Sequence, residues 1–440
     1  MKQRQRQLRV DNSELCILNS QFSIINYQLS TSPAALQAAL AQHLPAALAH
    51  LREWVGINSY TQNRDGVNAL GHATATAFAP LGFSAETVPG ANRRGGDHLF
   101  LRRPGRTRAV LLCVSHLDTV FTPQEESRNY FHWREAEGRI YGPGVVDIKG
   151  GTALLWLQMC ALRSAAPALF DHFTWVAAFN AAEETLGDDF AQAALARFGD
   201  RARAALVYES GACRENSFNL VVARKGRSEF RVAAEGRGAH AGSCHADGAN
   251  AIAELAGVIP ALEKMTDPAS ELTVNVGFIR GGEALNRVPH EAEALGEMRA
   301  FSPTVLAAAE RSVVALAGLG RVAAVADGHR CRIRAEITGR TPAWPENPGT
   351  RQLFEIYSRA ARQLGAKLTT EQRGGLSDGN LLAPHLPTLD GLGPAGGNGH
   401  ASEWSDDPVA PKRPEYLEPE FMVPKALLNC LAVAELAENK

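Results

Sequence analysis

Short apolar runs alternate with helical stretches between residues 111 and 222, and this alternation restricts the fold more than any other feature of the sequence. The apolar runs at 111–115, 173–179 and 204–208 predict buried strands. Helical stretches at 149–164 and near 188–198 fall between them. Strands that alternate with helices form a mostly parallel sheet with helices on both faces. We therefore predict an α/β fold of this kind.

The pattern changes near residue 223 and returns near residue 340. Predicted strands and helices follow one another here in the order 228–234 (strand), 249–264 (helix), 272–279 (strand), 291–301 (strand), 303–318 (helix) and 330–337 (strand). The order βαββαβ indicates a smaller α+β sandwich with a four-stranded sheet.

The smaller unit is predicted to be inserted into the larger one. Three prolines and two glycines in 339–349 indicate a linker. We predict a larger domain made of 31–222 and 340–440, with the inserted domain at 223–339. Residues 1–30 are predicted to be a disordered tail.

Histidine and acidic side chains follow the predicted strands, where each strand ends or a helix begins. In chain order they are His116, Asp118, Asp147, Glu183, Glu184 and Glu209. Ligands bind beyond the carboxyl ends of the strands in open parallel sheets, so we expect these groups to share one edge of the sheet. Each residue by itself fits an ordinary turn or helix start, and only the joint arrangement points to a site.

Such a carboxylate cluster needs a compensating cation to ionise fully. Histidine and carboxylate without thiolate suit Zn²⁺, with Mn²⁺ or Co²⁺ as alternatives. The number of acids favours two metal ions, bridged by one carboxylate and one water.

Five motifs follow one another along the chain: SHLDTV (115–120), YGPGVVDIKGG (141–151), AEETLG (182–187), YESG (208–211) and GGNGH (396–400). Together and in this order they resemble the motifs of the aminoacylase/glutamate carboxypeptidase family of dizinc exopeptidases. Pro143 favours the glutamate-carboxypeptidase-like branch.

The resemblance implies a role for particular residues of these motifs. The implied ligands of two Zn²⁺ ions per chain are His116, Asp147, Glu184, Glu209 and His400. Asp147 would bridge the ions, Glu183 would be the general base, and Asp118 would orient His116. The resemblance also implies a cis peptide bond after Asp147.

Three further motifs in the inserted domain resemble the lid and dimerisation domain of the same family. They are GRGAHAG (236–242), GGEALNRVP (281–289) and EMR (297–299). By this resemblance the protein forms a homodimer in which His240 and Asn286 reach the partner subunit's active site and stabilise the oxyanion. Arg299 would hold the substrate carboxylate, a task that suits a bidentate guanidinium.

The implied activity is hydrolysis of an amide bond next to a free carboxylate, in a small molecule or short peptide. We expect a carboxypeptidase of the glutamate carboxypeptidase type. An N-acyl-amino-acid amidohydrolase (a deacetylase or desuccinylase) is the alternative. A third possibility is a non-catalytic amino-acid-binding protein of the same fold, which the loss of Glu183 or of a ligand would favour, and neither is lost.

Composition narrows the partners and the location. A net charge of −2 predicts no nucleic-acid partner, and the lack of an 18-residue apolar run predicts no membrane span. Seven scattered cysteines without a CxxC pair favour a reducing compartment, so we expect a cytoplasmic protein. Residues 1–30 lack the unbroken apolar segment of a signal peptide.

Overall fold

The computed structural model of the chain describes residues 32–92, 94–185 and 187–438, so the predicted tail at 1–30 lies outside the described residues. The helices are α1 (Pro33–Val55), α2 (Arg64–Phe78), α3 (Pro123–Asn129), α4 (Lys149–Ala165), α5 (Pro167–Phe170), α6 (Asp189–Phe198), α7 (Ala251–Glu263), α8 (Pro303–Val314), α9 (Pro348–Gln363), α10 (Asp378–Leu382) and α11 (Met422–Glu438). The strands are β1 (Ser84–Pro89), β2 (Asp97–Arg103), β3 (Val110–His116), β4 (Arg134–Ala136), β5 (Arg139–Tyr141), β6 (Thr174–Asn180), β7 (Ala202–Val207), β8 (Cys213–Arg214), β9 (Ser217–Arg224), β10 (Gly226–Glu235), β11 (Thr273–Gly281), β12 (Glu291–Ala300), β13 (Gly318–Ala323), β14 (Arg330–Thr341), β15 (Lys367–Arg373), β16 (Thr388–Leu389), β17 (Gly396–Gly397) and β18 (Tyr416–Leu417).

Four helices begin at the same local signal, a capping side chain followed by proline. The caps of α1, α3, α8 and α9 are Ser32, Thr122, Ser302 and Asn347. Each cap accepts a hydrogen bond from a backbone N–H of the first turn. Proline fits the first helical position because its missing N–H would have no partner there, so the sequence fixes these starts locally.

The main sheet has six strands in the order β1-β2-β6-β3-β7-β16. Strand β3 is parallel to β6 and β7, and β16 is parallel to β7. Strands β1 and β2 are antiparallel to each other, and β2 is antiparallel to β6. The carboxyl ends of the four parallel strands therefore share one edge.

Helices cover both faces of this sheet. In β3, Leu111 and Cys113 enter the core that α1, α4, α9 and α11 share, whereas Leu112 and Val114 enter the core beneath α6 and α10. Every residue of α4 from Lys149 to Leu162 is buried. The predicted mostly parallel sheet with helices on both faces is confirmed.

The smaller sheet is antiparallel, in the order β11-β12-β10-β14-β13, and α7 and α8 pack on one of its faces. This confirms the inserted α+β sandwich as part of the fold class. The predicted count of four strands is wrong, because β13 follows α8 after a short turn. The helix predicted to reach residue 318 ends at Val314. Gly318 and Gly320 are poor strand formers, so β13 left no strand signal.

The two sheets are joined where β9 leads into β10 and β14 leads back. Arg224 and Trp344 exchange backbone hydrogen bonds of 2.8 and 3.0 Å at this neck. The predicted linker at 339–349 begins as strand, since β14 continues to Thr341. Two further sheets, β15-β9-β8 and β17-β18-β5-β4, complete the larger part. No helix in the described ranges has the length and apolar character that a bilayer crossing requires.

Candidate metal centre

Four of the predicted residues meet at the shared edge of the main sheet. His116 is the last residue of β3, and its neighbour across the sheet is Asn180 at the end of β6. Glu183 and Glu184 lie in a single 3₁₀ turn just after β6, and Glu209 follows β7 by two residues. The strand-end argument therefore places these side chains together correctly.

Asp147 reaches the same edge by another route. It lies in the loop between β5 and α4, and β5 belongs to a different sheet, so the prediction that a strand of the main sheet delivers Asp147 is wrong. Gly151 lets the start of α4 approach β7, since a Cβ at Gly151 would lie 2.1 Å from the carbonyl oxygen of Tyr208. The Asp147–Ile148 peptide bond is cis, as the resemblance implied.

His400 comes from the carboxyl-terminal part of the chain and is half exposed. Strand β17 ends just before it, pairs with β18, and β18 pairs with β5, which precedes Asp147. Asn398 and His400 both have left-handed backbone conformations, with φ of 57° and 67°. The tight turn brings the imidazole back over the sheet edge.

The carboxylate of Asp147 faces two separate groups of side chains. Its Oδ1 lies 3.1 Å from Nε2 of His116, and Oε1 of Glu209 lies 3.6 Å from the same nitrogen. Its Oδ2 lies 3.3 Å from Nε2 of His400, and Oε2 of Glu184 lies 3.2 Å from that nitrogen. Each carboxylate oxygen of Asp147 thus contacts one histidine nitrogen, and one glutamate contacts the same nitrogen.

Asp118 holds several of these residues in position through hydrogen bonds. Its Oδ1 and Oδ2 accept hydrogen bonds from the backbone N–H groups of Glu183 and Glu184, at 3.0 and 3.2 Å. The hydroxyl of Thr61 donates to Oδ2 at 2.7 Å. Nδ1 of His116 lies 2.9 Å from the backbone carbonyl oxygen of Asp118 and 3.4 Å from Oδ1. One aspartate therefore fixes both the imidazole and the glutamate pair.

Neighbouring carboxylates favour the protonated form of both histidines. Burial opposes protonation of His116, but hydrogen bonds to Asp118 and Asp147 raise its pKa well above the usual range. Hydrogen bonds to Asp147 and Glu184 raise the pKa of His400 to about 10. Both imidazoles thus lie where positive charge is strongly stabilised.

The pKa values of Glu183 and Glu209 are raised too, which disfavours the charged form of these carboxyl groups and indicates an excess of acidic groups. Burial raises the pKa of Glu183 well above its usual range, and Glu209 adds to this against the opposing charge of His116. Burial and then Asp147 raise the pKa of Glu209 to about 8. Such crowded carboxyl groups ionise together only beside added positive charge.

The residues present fit metal ions. Ligand atoms of His116, Asp147 and Glu184 all lie within 4.8 Å of one another. Among the described residues, the buried Oε1 of Glu184 has no hydrogen-bond partner, so it has a lone pair to give to a cation. Imidazole and carboxylate oxygens without thiolate match the ligand preference of Zn²⁺ and related dications.

The three site residues predicted within 223–339 fall in two places. Arg299 lines the cavity of about 310 Å³ that also contains Asp147, Glu209 and His400. His240 and Asn286 are exposed and line a different cavity. Within one chain, therefore, the structure brings only Arg299 to the metal-site cavity.

Other residues around the cavity had no recognisable sequence signal. Glu415 is fully buried and accepts a hydrogen bond from the backbone N–H of Asp147. Arg227 and Arg373 line the cavity itself. Arginines in alternating strands usually mark a solvent-exposed face, and a single glutamate near the end of a chain has no motif around it.

Comparison with known proteins agrees with this geometry. Carboxypeptidase G2 from Pseudomonas sp. (strain RS-16) is 25% identical over 379 residues, which is 85% of this chain and 88% of that protein. Acetylornithine deacetylase from Proteus mirabilis (strain HI4320) is 30% identical over 234 residues, 50% of this chain and 57% of that protein.

Solved structures share the fold. The aminopeptidase PepT from Bacillus cereus superposes with a TM-score of 0.66 at 22% identity, over 91% of this chain and 99% of that one. The YXEP protein from Bacillus subtilis, a dinuclear metal-binding peptidase of the M20 family, gives a TM-score of 0.63 at 15% identity, over 91% and 100% of the two chains. The sequence model of peptidase family M20/M25/M40 matches residues 112–418, which include every implied metal ligand. The protein is thus a metal-dependent hydrolase, and the chain belongs to peptidase family M20/M25/M40.

Proposed function

We propose that the protein cleaves an amide bond next to a free carboxylate, as a carboxypeptidase of the glutamate carboxypeptidase type. The observation that carries the proposal is the divided environment of Asp147, whose two oxygens face His116 and His400 separately. We assign His116 and Glu209 to one metal ion, Glu184 and His400 to the other, and Asp147 to both. Zn²⁺ is the proposed metal, with Mn²⁺ or Co²⁺ as alternatives.

When bound, the metal ions supply a polarised amide carbonyl and a water that ionises near neutral pH. Glu183 is the proposed general base, because it is buried beside the ligands and its backbone is fixed by Asp118. Its carboxylate takes the proton of the attacking water and passes it to the leaving amine. Arg299, which lines the same cavity, holds the free carboxylate of the substrate.

We further propose that residues 223–339 act as a lid and dimerisation domain, while 31–222 and 340–440 form the catalytic domain. Nδ1 of His240 accepts hydrogen bonds from the backbone N–H groups of Gly242 and Ser243, at 3.1 and 3.0 Å. The ring proton is thereby assigned to Nε2, which suits a donor to an oxyanion. Because His240 is exposed in a separate cavity, we assign its target to a partner subunit.

The edge of the inserted sheet supports the homodimer. Among the residues that the structure describes, strand β11 pairs with β12 alone, and Phe278 and Ile279 near its end are 49% and 53% exposed. An unpaired apolar strand edge is a natural template for a second copy.

An N-acyl-amino-acid amidohydrolase is the second candidate, favoured by the similarity to acetylornithine deacetylase. Both candidate substrates place a carboxylate next to the scissile amide.

We propose a cytoplasmic location as well, supported by the free state of the six cysteines in the described part of the chain.

A hydrolysis screen with zinc-loaded protein tests the proposed function. Peptides with a free carboxyl terminus, N-acyl amino acids, and the same compounds with that carboxylate blocked as an amide would be compared. We expect blocking to lower kcat/KM by about 100-fold, since Arg299 loses a charge-assisted bidentate pair. Equal hydrolysis of free and blocked compounds would contradict the proposal. The ratio between peptides and N-acyl amino acids separates the two candidate functions.

A further inference from the structure

Arg227 faces the metal-site cavity together with Arg299, and the ligand and base assignments give it no role. Arg227 is near the start of β10 and Arg299 near the end of β12, and the two residues are direct partners across this antiparallel strand pair. Directly paired residues put their side chains on the same face of a sheet, with Cβ atoms about 4.5–5.5 Å apart. Two guanidinium groups therefore border one cavity from one sheet face.

The other two arginines of the cavity are held by the protein itself. Nε of Arg224 donates to Asp390 at 2.8 Å, and its Nη1 donates to the carbonyl of Gly375 at 3.0 Å. Arg373 donates to both carboxylate oxygens of Glu371, at 2.8 and 3.3 Å. Arg224 and Arg373 are thus each paired with a carboxylate of the same chain.

Arg227 and Arg299 differ in how well their donors are used. Arg299 forms a two-point contact with Glu297, at 2.8 and 3.0 Å, and also donates to the carbonyl of Gly374. Arg227 has an ion pair with Glu229, in which Nη2 lies 3.1 Å from Oε1. Its Nε is buried and has no hydrogen-bond partner within the described residues. A buried donor without an acceptor is unfavourable, and a ligand oxygen would satisfy it.

Cross-strand repulsion points to the same kind of ligand. Like charges at directly paired positions of a sheet destabilise each other. Glu229 and Glu297 are likewise direct partners, so the charges form a block of two arginines beside two glutamates. An anion bound between the guanidinium groups would relieve their repulsion, and guanidinium is well matched to carboxylate.

We propose that Arg227 forms a second anion subsite, which binds the side-chain carboxylate of a dicarboxylic amino acid on the leaving side of the scissile amide. Arg299 holds the other carboxylate of the same residue. The acidic side chain that the glutamate type of the proposed function implies would thereby be recognised at Arg227. This proposal rests on the proposed hydrolase function, and it names Arg227 as the residue that sets the preference for an acidic side chain.

The test compares N-benzoyl-L-glutamate with N-benzoyl-L-glutamine, which has nearly the same shape but lacks the second charge. For the zinc-loaded wild type we expect a kcat/KM ratio of about 30 or more in favour of glutamate, typical of one charge-assisted hydrogen-bonded pair. Arg227→Gln should lower this ratio to about 3 or less. Arg227→Lys should give an intermediate ratio, because an ammonium keeps the charge without the bidentate geometry.

Arg231→Gln is the matched control. Arg231 lies on β10 four residues after Arg227, pairs with Glu293 and lines a different cavity. This control should keep the wild-type ratio. If Arg227→Gln does not fold, the wild-type ratio and the Arg227→Lys variant decide the question. A wild-type ratio near 1, or an unchanged ratio in a folded Arg227 variant, would overturn the subsite.

Calorimetric binding of free L-glutamate and L-glutamine separates this proposal from the proposed function. Tighter binding of glutamate that depends on Arg227, without hydrolysis of either conjugate, would contradict the hydrolase function and support the subsite. Hydrolysis of both conjugates at equal kcat/KM would support the hydrolase function and overturn the subsite.

Discussion

Glu415 holds the backbone of Asp147 in place from inside the protein. Its Oε1 accepts a hydrogen bond from the N–H of Asp147 at 3.0 Å and a second from Val146 at 2.8 Å. Glu415 is fully buried, and burial, followed by the charge of Asp147, raises its pKa to about 8. The residue that faces both histidines is therefore oriented by a second carboxylate that does not reach the ligands itself.

Glu415→Ala is expected to weaken metal binding about 10–100-fold, since residues that orient ligands typically have effects of this size. Glu415→Gln should lose less, because its amide oxygen can still accept both backbone hydrogen bonds. Competition with a zinc chelator measures the affinity. The exposed Glu420 provides the control Glu420→Ala, which should behave as the wild type. Equal zinc affinity in Glu415→Ala and the wild type would refute this positioning role.

Glu183→Gln tests the assignment of the general base. The metal content should stay at the wild-type value, while kcat falls by about 100-fold or more because the proton acceptor is lost. Glu184→Gln is the companion variant, and it should lose metal because Glu184 faces His400. Elemental analysis and steady-state kinetics on both variants are the measurements. Loss of metal from Glu183→Gln instead would mean that the two glutamates have exchanged roles.

Much of this site was predictable because one rule relates the position of a residue in the sequence to its position in the sheet. Residues that follow parallel strands must meet at one sheet edge, and this correctly grouped His116, Glu184 and Glu209. Asp147 lies with these residues, but the reason given for its position was wrong, since its loop follows β5, which pairs with β18 in another sheet. Short two-residue and three-residue strands carry no periodic signal, so that sheet could not be predicted.

Features that depend on three-dimensional packing were missed. Arg227 and Glu415 lie 188 residues apart in the chain, from 227 to 415, and neither has a motif that marks it. Their roles follow from which backbone or cavity they face, and that becomes known only when strands and helices are assembled. The strands of the inserted sheet were predicted from the sequence, except for the glycine-containing strand β13.

Lys425 should make the stability of the protein depend on pH. Burial lowers its pKa to about 7, and its ammonium donates a hydrogen bond to the carbonyl of Gly391 at 2.6 Å. In the unfolded chain the pKa is about 10.4, so between pH 7 and 10.4 the unfolded state binds more protons. The free energy of unfolding should therefore rise as pH increases from 7, because the buried ammonium of Lys425 loses its charge.

Lys425→Met removes this contribution. The difference in Tm between Lys425→Met and the wild type should shift in favour of the wild type as pH rises from 7 to 9.5. Lys367→Met is the matched control, since Lys367 is exposed, and its difference in Tm should stay constant. Thermal denaturation across this pH range measures both. A constant difference for Lys425→Met as well would show that Lys425 is not buried with a lowered pKa.

Mixing two inactive variants tests whether His240 acts on a partner subunit. Glu183→Gln and His240→Ala chains, once exchanged, would form heterodimers in which one site combines an intact Glu183 with an intact His240. We expect activity to return, with a maximum near half of the wild-type value per heterodimer. Subunit exchange would be verified with a tagged chain. No recovery after verified exchange would place His240 in its own subunit's site or outside catalysis.

The most direct test of the account is the number of metal ions per chain, measured by elemental analysis after dialysis against zinc buffer. Two carboxylate–histidine groups that share Asp147 predict about two Zn²⁺ per chain in the wild type. The account predicts about one in His400→Ala and close to none in Asp147→Ala, because Asp147 alone faces both histidines among the residues the structure describes. Fully active wild-type protein with fewer than about one metal ion per chain would contradict the account.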